Sequence, residues 1–163
     1  SKEQDMQNEL KLDFTRRLSQ CNRGEMIVII YDIYFAYEKD AREAYSAGQH
    51  EAFKEAVRKA QNVLAELIHA LNFSYDLSKN LYRLYMYCTN CLARAVYENK
   101  MDGIEEAGFV MHRLYTSFEE VAKADDSEPL MRNTQQVYAG MTYGRTSLNE
   151  NLSNVDSNRG FLA

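Results

Sequence analysis

Between residues 22 and 125, apolar side chains recur three or four positions apart along four separate stretches, the spacing of helices that each bury one face. The first stretch runs Met26, Ile30, Ile33, Tyr37, Ala41 and Ala44, broadened by Ile27, Tyr34 and Tyr45. Asn22, with Glu25 three residues on, is a capping-box start, and Ala47-Gly48 supplies a glycine for the C-terminal cap. The second repeats Phe53, Val57, Ala60, Leu64, Leu67, Ile68 and Leu71, turns Lys54, Glu55, Arg58 and Lys59 away, and is expected to end near Asn72. The third, after a capping Ser74 or Asp76, carries Leu77, Leu81, Leu84, Cys88, Cys91, Leu92 and Ala95. The fourth opens at Asp102, with Glu105 behind it, and repeats Ile104, Gly108, Met111, Leu114, Tyr115, Phe118 and Val121. Short connections, roughly two to five residues each, make consecutive helices antiparallel neighbours. The expected fold is all-α: an antiparallel up-and-down four-helix bundle over residues 22–125.

Two flanking segments complete the expected organisation. Residues 1–21 hold Leu10, Phe14 and Leu18 four apart, a short N-terminal helix that lies across one end or groove. From residue 126 the composition shifts to Asn, Ser, Thr, Gln and Gly, and no lysine follows Lys123. The C-terminal tail, 126–163, still carries Val137, Tyr138, Met141, Tyr143, Leu148, Leu152, Val155, Phe161 and Leu162. That apolar content leads to the expectation that the tail packs on the bundle.

Charge narrows the partners. Nineteen Lys and Arg face twenty-four Asp and Glu, a net charge of −5 with the signs interleaved, which disfavours nucleic acid and anionic membranes. One proline and seven glycines suit long helices and argue against an all-β chain. The run Met26 to Tyr31 is far too short to span a bilayer, and three cysteines, an odd number, fit a reducing compartment. A cytoplasmic location is expected.

Candidate chemistry is sparse. Cys88-Thr89-Asn90-Cys91 has CxxC spacing, but it falls mid-helix on an apolar stripe, where cysteines act as small buried residues. Glu66-Leu67-Ile68-His69 occurs once, whereas a di-iron bundle needs two such motifs and two further glutamates. His69-Ala70-Leu71-Asn72 echoes the H-x-L-K-G stretch of histidine phosphotransfer bundles without its lysine and glycine. That echo makes a phosphotransfer bundle using His69 the alternative function. No cofactor or metal site is expected. Against this background stands Leu71 to Tyr87, LNFSYDLSKNLYRLYMY, with four tyrosines beside a leucine stripe. It reads either as a core lining or as a partner-binding surface, since tyrosine brings a large, stiff, amphipathic ring at low entropic cost.

In that stretch Leu71, Asn72, Tyr75, Asn80, Leu81, Tyr82, Leu84, Tyr85 and Tyr87 match an LN-x-x-Y turn followed by an NLY-x-LY-x-Y helix start. Glu25 with Met26 to Asp32 matches an E-L-x-x-M-L-Y-D-G segment. In these residues the chain resembles the flagellar FliS family of export chaperones, over roughly residues 20–122. It departs from the family at Gln20-Cys21-Asn22-Arg23, where a T-A-S-P start is usual, and at Ile33, where a glycine is usual; Phe14 is the nearest counterpart of an N-terminal tyrosine and inherits no role. The resemblance implies a non-enzymatic chaperone that covers the amphipathic C-terminal region of flagellin and prevents premature polymerisation. Tyr75, Leu77, Leu81, Tyr82 and Tyr85 are the contacts it suggests, with Ile30, Ile33 and Tyr34 as further candidates. The tail extends beyond the family pattern and is expected to compete for the same groove.

Overall fold

A computed structural model describes residues 2–126 of the chain, in which five α-helices and no strand occur. They are α1 (Lys2–Gln20), α2 (Arg23–Ser46), α3 (His50–His69), α4 (Asp76–Glu98) and α5 (Asp102–Ala124). The expected docking of the tail falls on residues 127–163, outside the described residues.

The ends of these helices follow from local chemistry. Asn22 caps α2 by accepting a hydrogen bond from the Glu25 amide at 3.0 Å. At the other end Gly48 takes a φ of 70°. The amides of Gly48 and Gln49 then close onto the carbonyls of Tyr45 and Ala44. Asn99 does the same for α4 at a φ of 53°, a conformation asparagine tolerates better than most residues, with the Lys100 amide reaching the Ala95 carbonyl. α3 stops at His69, short of Asn72, which instead folds the connection by accepting from both the amide and the hydroxyl of Ser74. Neither Ser74 nor Asp76 caps α4: Tyr75 holds that position without a side-chain bond.

Helices α2, α3, α4 and α5 contact one another in a closed ring, α2–α3, α3–α4, α4–α5 and α5–α2, and α1 adds a fifth contact on α2. Their shared interior contains the expected stripes of α2 and α3 almost unchanged, from Met26 to Ala44 and from Phe53 to Leu67. On α5 the stripe is buried only as far as Met111; Leu114, Tyr115 and Phe118 are half-buried and Val121 is exposed. Phe14 and Leu18 pin α1 to the bundle, each contributing about 1.5–3 kcal/mol by leaving water. Arg17 adds a 2.5 Å ion pair with Asp32. Toward its start α1 stands clear: the described side chains from Lys2 to Leu12 are all exposed, Leu10 included.

On α4 the burial differs from the expected stripe. Its inward face is Ser78, Leu81, Tyr85, Cys88, Cys91, Leu92 and Ala95, while Leu77 and Leu84 are 64% and 36% exposed. Steps of three and four from Ser78 follow the helix pitch closely. Leu77 and Leu84 sit one residue, about 100°, behind Ser78 and Tyr85, which swings them to the flank.

Candidate partner-binding surface

Two flanks of α4 carry apolar side chains into solvent. Tyr82 lies on the first, and Tyr75, seven residues earlier, continues it to the helix start; they are 40% and 60% exposed. Phe73 from the α3–α4 connection meets Tyr82 edge to face at 5.7 Å. This flank borders α3, because Thr89, a further seven residues along, has its carbonyl bonded by Gln61. Leu77 and Leu84 form the second flank, with Tyr87 beyond them. It borders α5: Cys91, seven residues past Leu84, reaches Glu106, and Val110 and Leu114, four and eight residues on from Glu106, are half-buried. Both flanks run along the first half of α4, an elongated outline suited to an extended apolar segment more than to a small molecule.

Of the suggested contacts, Tyr75, Leu77 and Tyr82 are on this surface. The others are inside. Ile30, Ile33 and Tyr34 are at most 1% exposed because α2, touched by α1, α3 and α5, has little free circumference. Leu81 and Tyr85 point inward from α4. In this conformation those five residues have no surface to offer a partner. Phe73, Leu84 and Tyr87, which were not among the suggested contacts, are exposed beside Tyr75, Leu77 and Tyr82, and the seven-residue spacing of Leu77 and Leu84 was the signal for one of them.

Beneath the surface, polar groups are set into the core. The hydroxyls of Tyr31 and Tyr85 hydrogen-bond at 2.8 Å across the interior. Burial raises the Tyr85 phenol to about 12 and Tyr31 further, so both stay protonated. The Tyr34 hydroxyl and Glu38 Oε2 are buried without a hydrogen-bond partner among the described residues. Glu38 lies over Gly108, whose missing side chain makes room for it: a Cβ there would approach Oε2 to 2.9 Å. Burial raises its carboxyl to about 7 against the pull of Arg42, 3.6 Å away and also paired with Glu105. Cys88 and Cys91 are buried free thiols, and burial pushes Cys88 up to about 12, far from a reactive thiolate.

The other candidates do not converge. His69 is exposed as the last residue of α3, away from the mid-helix position that phosphotransfer requires. His112 stacks on Phe35 at 4.1 Å, on the α2–α5 side. Among the described residues no three His, Cys, Asp or Glu side chains gather as metal ligands, and no helix is long and apolar enough to cross a membrane.

Residues 6–125 match the family model described as flagellar protein FliS. The match extends past both ends of the stretch in which the sequence motifs carry the resemblance, taking in most of α1 as well as the whole of α5. No curated protein matches the chain.

Proposed function

Since the chain belongs to the flagellar FliS family, a family of flagellar export chaperones, we propose that it binds the C-terminal region of flagellin in the cytoplasm and keeps it from polymerising before export. The observation that carries this reading is the pair of exposed apolar flanks on α4, with Phe73, Tyr75, Tyr82, Leu77, Leu84 and Tyr87 in solvent. Binding is helix-in-groove: a disordered, amphipathic flagellin segment folds as it docks, at an ordering cost of about 2–5 kcal/mol. We read α2–α5 as the antiparallel up-and-down bundle of residues 22–125, flanked by segments 1–21 and 126–163, and the chain as a binder with no catalytic role.

Calorimetry with the cognate flagellin C-terminal segment is expected to give a one-to-one complex with a negative heat-capacity change. Absence of binding at tens of micromolar would sink the proposal. The tail is the second element of this reading: its apolar residues compete with flagellin for the α4 flanks. A chain ending at residue 125 should then bind flagellin more tightly than the full chain, and equal affinities would remove the competition.

A further inference from the structure

We propose that the Tyr31–Tyr85 hydroxyl pair is a positioning device that fixes the rotation of α4 about its own axis and so keeps both apolar flanks aimed at flagellin; the inference rests on the function proposed above. α2 and α4 are not neighbours in the ring but are joined through α3 and α5. The 2.8 Å bond between their tyrosines therefore crosses the interior. Apart from Tyr85, the inward face of α4 is Ser78, Leu81, Leu92, Ala95 and two cysteines, a mostly small and smooth set. Apolar packing of that kind is non-directional, so by itself it resists turning of the helix weakly.

A buried hydroxyl pair behaves differently. Misalignment leaves two polar groups unsatisfied in a medium that cannot solvate them. Tyr31 is itself held, with Phe35, Tyr115 and Phe118 around its ring at centroid distances of 6.5, 6.4 and 5.5 Å. Tyr85 is thus tied to a fixed post. Leu84, one residue before it, and Tyr82, three before it, stand on opposite flanks, and a 20° turn of α4 would carry their side chains by about 2 Å at a helix radius of roughly 5–6 Å. One flank would sink as the other rose.

The test uses the full chain as Tyr31→Phe, Tyr85→Phe and the double variant, measuring denaturation midpoint, affinity for the flagellin C-terminal segment, and amide exchange along α4. Each single variant orphans one hydroxyl and should lower the midpoint, whereas the double variant orphans none and should regain part of it. Affinity should not follow that recovery: the double variant is expected to bind about five- to tenfold more weakly than the original chain. A double variant that binds with unchanged affinity overturns the proposal and leaves the pair a purely structural one. If the original chain binds no flagellin, the functional reading fails separately, and exchange decides the remaining point. Faster α4 exchange in the double variant supports the device; unchanged exchange overturns it.

Discussion

Glu38 is the residue whose environment opposes its charge. Its folded carboxyl titrates near 7 where 4.5 is ordinary, chiefly because burial disfavours the anion. Between pH 4.5 and about 7 the folded chain holds a proton that the unfolded chain has released, so stability falls as pH rises through that window. Glu38→Gln is expected to flatten this dependence in urea titrations and to raise stability at pH 8 by about 1–3 kcal/mol. Gly103 makes the opposite kind of demand, for space. A Cβ there would lie 2.1 Å from the Cys91 carbonyl oxygen, so α4 and α5 touch backbone to backbone at that point. Gly103→Ala should cost about 2–3 kcal/mol in the same titrations, since a backbone atom cannot swing aside. Neither residue stood out in the sequence. What decides both is a contact with another helix, and composition carries no trace of it.

At the scale of elements, local rules were legible and distant ones were not. Asn22 and Gly48 marked the two ends of α2 because capping depends on residues within one turn. What the sequence could not reveal is that Asn22 serves twice. Its Oδ1 caps α2, while its Nδ2 donates to the Asp125 carbonyl at 3.0 Å, and the Asp125 carboxylate accepts from the Gly24 amide at 2.8 Å. Asn22→Ala should therefore cost about 1–2 kcal/mol, more than an ordinary cap, with the excess appearing as faster amide exchange in the last turn of α5. On α4 the leucine stripe misled by one residue: Leu84 is large and apolar and Tyr85 polar-tipped, yet the pitch set by Leu81, Cys88 and Leu92 turns Tyr85 inward. Composition favours the leucine, and geometry favours the tyrosine once Tyr31 gives its hydroxyl a partner. Replacing both exposed residues, Leu77→Ser with Leu84→Ser, should change stability by about 0.5 kcal/mol or less per site and abolish flagellin binding, as read by calorimetry and thermal melts of the same sample.

For the whole molecule, four amphipathic stretches with little punctuation between them led to the expectation of an all-helical chain, and among the described residues five helices, four of them in a closed ring of contacts, are what is found. Membership of the FliS family was legible in LNFSYDLSKNLYRLYMY, a stretch that turns out to join the α3–α4 connection to the α4 flanks. The location of the exposed face was legible only in part, because α2 is enclosed by three neighbours and sequence order does not reveal which helix ends up most surrounded. The bond between Asn22 and Asp125 joins positions 103 residues apart and, with that from Gly24, brings the start of α2 against the end of α5. The ring is thus nearly closed along the chain as well as in space. Asp125 could be linked to Asn22 through a few residues and the polypeptide reopened between Ala47 and Gln49, giving a circular permutant that places new termini at the opposite end from the α4 start.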